Sequence, residues 1–218
     1  MEKFIAVAGN IGVGKTTLVK NLSLRLGWTP FYEPEAENPY LADFYKDMHA
    51  WAFHSQVFFL TKRLRAHKNL LAHRGFVIQD RSVYEDARVF AYNLYLQEQI
   101  TERDYHTYQE LYQVLIEFLP PPDLVIYLKA SVPTLQQRIA NRGRDYEEKI
   151  DPAYLEQLNL LYERWIENFH LCPILTVPGD DLDFVENGRH LGLIIQKIQE
   201  KLMGKEEVVF TEQEVNGE

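Results

Sequence analysis

One stretch of this chain constrains its fold more than any other. Phe4 to Ala8 is an apolar run of strand length, Gly9-Asn10-Ile11-Gly12-Val13-Gly14-Lys15-Thr16 follows, and an amphipathic helical pattern then runs from Lys15 to Leu26 and stops at Gly27. A G-x-x-x-x-G-K-[ST] string on a strand-to-helix turn is a phosphate-binding loop. The glycines keep side chains away, so successive backbone N–H groups can point at phosphate oxygens, and the helix N-terminus adds the positive end of its dipole. Lys15 is expected to reach the β and γ phosphates, and Thr16 to place its hydroxyl on Mg²⁺. The stretch predicts a P-loop fold that binds a nucleoside triphosphate.

The rest of the chain continues the alternation. Strand candidates are Pro30–Glu33, Phe76–Ile78, Leu124–Leu128 and Ile174–Val177, five with the first run. Between them lie helical patterns over Pro39–Asp47, Trp51–His73, Ala87–Leu96, Glu102–Phe118, Val132–Asn141, Pro152–Phe169 and Leu191–Met203. Strands separated by helices predict an α/β domain, residues 1–204, with a parallel sheet of about five strands flanked by helices on both faces. Residues 205–218 carry five Glu and one Lys and are read as an acidic tail, flexible or loosely docked by Val208-Val209-Phe210.

Composition narrows the partners. The net charge is −9, of which −4 lies in the tail; an acidic body argues against a nucleic-acid polymer as partner. The single Cys172 excludes an internal disulfide and a cysteine metal site, and beside Leu171 it reads as an inert buried thiol. No apolar run approaches the roughly 18 residues of a membrane span and no signal peptide opens the chain, so the default setting is cytoplasmic.

Ligands of parallel sheets sit at the carboxyl ends of strands. Glu33 follows the second strand candidate, and Asp80-Arg81-Ser82 the third. A carboxylate there can take a hydroxyl proton or hold a Mg²⁺ water, and an arginine can meet a transferring phosphoryl group. Arg138 and Arg142 are four apart on a predicted helix and so share a face, and Arg144 follows just past Gly143. Such a cluster is either an anion clamp that closes over phosphates or a solvated helix end. Gln56 and Arg63, two turns apart, also share a face, suited to a nucleobase edge or to plain surface polarity. Phe90 is a core aromatic or a stacking platform.

Taken together, Gly9 to Thr16, Glu33-Pro34, Gln56 with Arg63, Asp80-Arg81-Ser82-Val83-Tyr84-Glu85-Asp86, and Arg138 to Arg144 followed by Glu147 resemble the deoxynucleoside kinases. The resemblance extends to about Met203. It implies P-loop enzymes, usually homodimers, that move the γ-phosphoryl of ATP or another nucleoside triphosphate onto the 5′-hydroxyl of a deoxynucleoside. Carried over, it implies that Glu33 is the general base, Arg81 the arginine beside it, and Asp80 the acidic group near Mg²⁺. Arg138, Arg142 and Arg144 resemble the lid. Tyr45 and Glu147 resemble the pair that binds the sugar 3′-hydroxyl, with Glu148 as an alternative to Glu147. Gln56 resembles the amide that grips the base, with Arg63, Asp86 and Phe90 around it, and Asp183-Phe184 the loop that meets the donor's base. A charged Arg63–Asp86 pair resembles the deoxyadenosine, deoxyguanosine and deoxycytidine branch, because thymidine-accepting members have small or apolar residues there. Glu37-Asn38 stands where many animal members have a tryptophan. The compact length resembles bacterial deoxyadenosine and deoxyguanosine kinases. A nucleoside monophosphate kinase would share the loop and lid, but its acceptor is already ionised and needs no Glu33. A GTP-dependent switch would carry an Asn-Lys-x-Asp motif, which the chain lacks.

Overall fold

In the computed structural model the described residues are 2–32, 37–144, 147 and 150–217. The strands are β1 (Lys3–Gly9), β2 (Thr29–Phe31), β3 (Phe76–Asp80), β4 (Leu124–Lys129) and β5 (Ile174–Pro178). They form one sheet in the order β2-β3-β1-β4-β5, with every pairing parallel. The expected α/β fold is the one observed.

Alternation along β1 explains both cores. Phe4, Ala6 and Ala8 face one apolar cluster, and Ile5 and Val7 face another on the opposite side of the sheet. The second cluster is closed by α1 (Lys15–Leu26), α7 (Val132–Arg142) and α9 (Gly188–Leu202) through Leu18, Leu22, Leu135, Ile139, Ile194 and Ile198. The first is covered by α2 (Leu41–Lys46), α3 (Met48–Leu71), α6 (Glu102–Ile116), α8 (Pro152–Glu167) and the helical run that follows β3.

Helix ends shift for local reasons. Helix α3 begins at Met48 rather than Trp51 because the Asp47 carboxylate accepts a hydrogen bond from the Ala50 N–H at 3.1 Å. The run after β3 begins earlier than its apolar period suggests. Ser82 and Glu85 form a capping box over α4 (Val83–Glu85), a π-helical turn spans Asp86–Ala91, and α5 (Tyr92–Leu96) resumes α geometry. Cys172 is partly buried, and burial pushes its thiol up to about 12, in keeping with an inert thiol.

His67, on α3, is fully buried and meets the Phe4 ring edge-on at 5.2 Å. Burial lowers its pKa from 6.5 to about 4. The folded state therefore holds it neutral in a range where the unfolded chain binds a proton. Its contribution is complete above pH 6.5 and is lost as pH falls toward 4, to a total of about 3 kcal/mol. Urea unfolding at pH 7.5 and pH 4.5 should show that loss, and His67→Leu should flatten it; an equally steep loss in the variant would refute the assignment.

Candidate active site

The loop from Gly9 to Thr16 leaves the carboxyl end of β1 and turns into α1. Gly12 and Gly14 have φ of +79° and +103°, where side chains are disfavoured. A Cβ on Gly12 would lie 2.6 Å from Ile139 Cγ1, so helix α7 rests directly on the loop. The Lys15 ammonium donates to the carbonyls of Gly9 and Asn10, both at 2.9 Å. Asn10 ties the loop to α8, donating to the Leu155 carbonyl and the Asn159 side chain at 2.8 Å each, while its own oxygen accepts from the Ile11 N–H at 2.7 Å. Asn159 in turn donates to the Ala130 carbonyl at 3.0 Å.

The expected metal residues meet. The Thr16 hydroxyl donates to Asp80 Oδ2 at 2.5 Å, which puts two hard oxygen ligands together at the mouth of the loop. Among the described residues no three acidic, histidine or cysteine side chains cluster as a cage. That donor set fits Mg²⁺, which keeps several waters and takes its remaining ligands from phosphates.

Arg81 stands next to this pair in a left-handed conformation, φ +64°, which is uncommon for a residue with a side chain. Its N–H donates to the Val7 carbonyl at 2.9 Å. The guanidinium donates to the Tyr162 hydroxyl at 3.1 Å, lies 3.8 Å from Glu85 Oε2, and sits 4.2 Å above the Phe90 ring. Glu85 is fully buried and accepts from the Ser82 N–H at 2.9 Å and from the Tyr162 hydroxyl at 2.5 Å. Burial holds the Tyr162 phenol well above its ordinary pKa, so it stays a donor. Sequence reading missed Tyr162 and Asn159, which lie on α8 far from any motif. Glu85 stood within the quoted motif, and its Ser-x-x-Glu spacing is a legible capping signal.

Around the loop opens a cavity of about 860 Å³. Arg138, Arg142, Arg144, Asp183 and Phe184 line it together with Gly12, Gly14, Lys15 and Thr16. Arg138 bridges two carbonyls, donating to Val13 and Gly179 at 2.7 Å each. Arg142 hydrogen-bonds to Glu147, and Arg144 reaches the other oxygen of that carboxylate at 3.3 Å. Arg142 and Arg144 thus hold the Glu147 carboxylate between them. The Asp183 carboxylate accepts from the Val185 and Glu186 N–H groups at 2.9 and 3.0 Å; these bonds, the Glu186 one foremost, keep it below the usual carboxylate range.

On the other side of Arg81 is a narrow cavity of about 60 Å³ lined by Tyr45, Gln56, Arg63, Asp86 and Phe90, with Ser55, Phe59 and Tyr154. All five residues singled out from sequence come together here from α2, α3 and the π-helical turn. Phe59 and Tyr154, which no sequence motif marks, complete the cavity's aromatic walls. Arg63 and Asp86 form a buried ion pair at 2.5 Å, and the Arg63 guanidinium lies 5.0 Å over the Phe59 ring. Arg81 and Ile11 line both cavities. Strand β2 ends at Phe31 beside β3, two residues before Glu33; Glu33 and Glu148 lie outside the described residues.

A deoxynucleoside kinase family model matches residues 5–203. The deoxyadenosine/deoxycytidine kinase of Bacillus subtilis is 37% identical over 199 residues, covering 90% of this chain and 92% of the relative. The deoxyguanosine kinase of the same organism is 35% identical over 204 residues, covering 92% and 98%. The structure of deoxyadenosine kinase from M. mycoides with bound dATP superposes with a TM-score of 0.81 at 32% identity, covering 91% of this chain and 100% of that one. With a phosphate-loop cavity and a second cavity meeting at Arg81, and with a family match over residues 5–203, this chain belongs to the deoxynucleoside kinase family.

Proposed function

We propose that the protein transfers the γ-phosphoryl of ATP, or another nucleoside triphosphate, to the 5′-hydroxyl of a deoxynucleoside. Purine deoxynucleosides are the first candidates and deoxycytidine the second, in line with the named activities of the relatives. The observation that carries this reading is Arg81, whose side chain lines the phosphate-loop cavity and the Gln56–Arg63–Asp86 cavity at once. A phosphoryl group passing between donor and acceptor crosses that position. In the reaction the 5′-hydroxyl gives its proton to Glu33, its oxygen bonds to the γ-phosphorus, and the bond to the β–γ bridging oxygen breaks to release the nucleoside diphosphate. Lys15, Arg81, Arg138, Arg142 and Arg144 hold the phosphate oxygens. Thr16 and Asp80 hold Mg²⁺, which when bound neutralises charge shared by the β and γ phosphates. Tyr45 and Glu147 bind the 3′-hydroxyl, and Gln56 and Phe90 grip and stack the base. Asp183 and Phe184 meet the donor's base through their backbone.

A homodimer belongs to the same reading; Leu111, Val114 and Phe118 leave an exposed apolar stripe on and after α6 that light scattering can probe as an interface. No helix among the described residues is long and apolar enough to cross a membrane, and we place the enzyme in the cytoplasm. A coupled assay with ATP and each of the four deoxynucleosides tests the reaction and ranks the bases. In the same assay Glu33→Gln should lower kcat at least about a hundredfold while ATP binding stays nearly intact. Unchanged turnover would remove Glu33 as the base, and faster phosphorylation of a deoxynucleoside monophosphate would point to the monophosphate kinase alternative.

A further inference from the structure

Residues 204–217 lie beyond the family match, which ends at residue 203, yet they are built into the back of the donor site. Helix α10 (Glu212–Asn216) is short and capped. Thr211 and Glu214 exchange backbone and side-chain hydrogen bonds in a capping box, and Gly217 closes the helix at φ +83°. Val208, Phe210 and Val215 pack against the apolar cluster that contains Leu182, Phe184, Ile194 and Ile198. The nearly buried Lys197 of α9 pairs with Glu214 at 2.6 Å. Arg189 donates to the carbonyls of Glu214 and Val215 at 2.8 and 2.5 Å.

The link to the active site is His190. The Asp183 N–H donates to its Nδ1 at 3.0 Å, and its Nε2 lies 3.1 Å from the Val215 carbonyl. Because a backbone N–H can only donate, Nδ1 carries the lone pair, and the ring proton is on Nε2, where it is donated to Val215. One imidazole therefore spans the loop at residues 182–185 and the C-terminal helix. That loop lines the phosphate-loop cavity through Leu182, Asp183, Phe184 and Val185. The Phe184 ring comes within 3.2 Å of where a Cβ on Gly14 would stand. Displacement of the loop would move a wall of the donor site and leave the Gln56–Arg63–Asp86 cavity untouched.

We propose that His190 is a positioning residue for the phosphoryl donor, and that the C-terminal segment Thr211–Gly217 acts through it as a clasp that holds the donor-base loop in its binding conformation. This rests on the reading of Asp183-Phe184 as the loop that meets the donor's base. A pre-ordered loop spares ATP the cost of ordering it on binding, so loss of the clasp acts on the donor's KM.

The test uses the full-length chain with deoxyadenosine as acceptor and ATP as donor. His190→Ala should raise KM for ATP about fivefold, with kcat and KM for deoxyadenosine within about twofold. His190→Asn keeps an acceptor oxygen for the Asp183 N–H and should recover part of the loss. Arg189→Ala removes the donors to the Glu214 and Val215 carbonyls and a 3.2 Å contact with His190 Nε2, and should shift KM for ATP in the same direction by about threefold. An unchanged KM for ATP in His190→Ala, or an equal fall in every kinetic parameter that His190→Asn does not relieve, would overturn the proposal. Phe184→Ala separates the two readings. If it weakens ATP while His190→Ala does not, the clasp alone is wrong; if neither moves KM for ATP, the donor-loop reading falls as well.

Discussion

Replacement of Arg81 by lysine should lower kcat about a thousandfold while changing KM for ATP and for the deoxynucleoside only a few-fold. The charge survives this substitution, but the geometry does not. The guanidinium is held between the Tyr162 hydroxyl at 3.1 Å and the Phe90 ring at 4.2 Å, and a planar fork can do this while still presenting N–H groups to a phosphoryl group. An ammonium on a flexible stem cannot. An arginine placed on a transferring phosphoryl group contributes about 10³–10⁵ in kcat, so a thousandfold loss, about 4 kcal/mol of transition-state stabilisation, is the lower end of expectation. The backbone supports the same view. Successive side chains of a strand point to opposite faces, yet Asp80 reaches Thr16 and Arg81 lines the adjoining cavity. The left-handed turn at Arg81, φ +64°, lets both residues serve one cleft, at a conformational cost of about 1 kcal/mol or more. Steady-state kinetics would decide the matter. A loss under about tenfold would make Arg81 a structural residue, and Tyr162→Phe would then have no kinetic effect to transmit.

The legible part of this molecule was carried by local patterns. A Gly-rich string between an apolar run and a helical period identifies the loop, and strand-helix alternation predicts the parallel sheet that is observed. Residues just after strands mark the cleft, and Asp80 and Arg81 are found there. The four-residue spacing of Arg138 and Arg142 does place them over the loop. What sequence did not reveal depends on contacts distant along the chain. Asn10 is anchored by Asn159, and Arg81 by Tyr162, across the gap between β1 or β3 and α8; neither partner has a local signature. The Val13 and Gly179 carbonyls that Arg138 meets, and the Glu147 carboxylate between Arg142 and Arg144, carry no local signature either. The π-helical turn at Asp86–Ala91 escapes a reading based on a 3.6-residue period, because a single wide turn hardly alters the apolar pattern. The tail contained a usable signal in Thr211-x-x-Glu214, masked by its acidity.

The second large effect concerns the Arg63–Asp86 pair and comes in two steps. Asp86→Ala alone should destabilise the protein by about 3–5 kcal/mol, the cost of removing one member of a buried ion pair. The pair is 5% and 1% exposed at 2.5 Å, so the guanidinium left behind is largely desolvated. Arg63→Met combined with Asp86→Ala should recover most of that loss, because an apolar pair of similar volume needs no desolvation of charge. The double variant also changes what the cavity can accept. The wide turn that begins at Asp86 brings Asp86 and Phe90 to the same wall, so under the proposed function the charged pair and Phe90 together bound the base site. With the pair in place, a 5-methyl group would press on buried charge, and exocyclic amino or keto groups find charged partners. With methionine and alanine there, thymidine turnover should rise at least about tenfold in kcat/KM, the scale of one methyl group in an apolar pocket, and deoxyadenosine should fall about a hundredfold. Urea unfolding of the single and double variants, beside kcat/KM for both nucleosides, measures the two effects separately. Recovered stability without any gain for thymidine would leave the pair as a packing feature and move base selection to Gln56 and the neighbouring walls. A gain for thymidine with deoxyadenosine undiminished would mean that the pair excludes the methyl group without reading the purine.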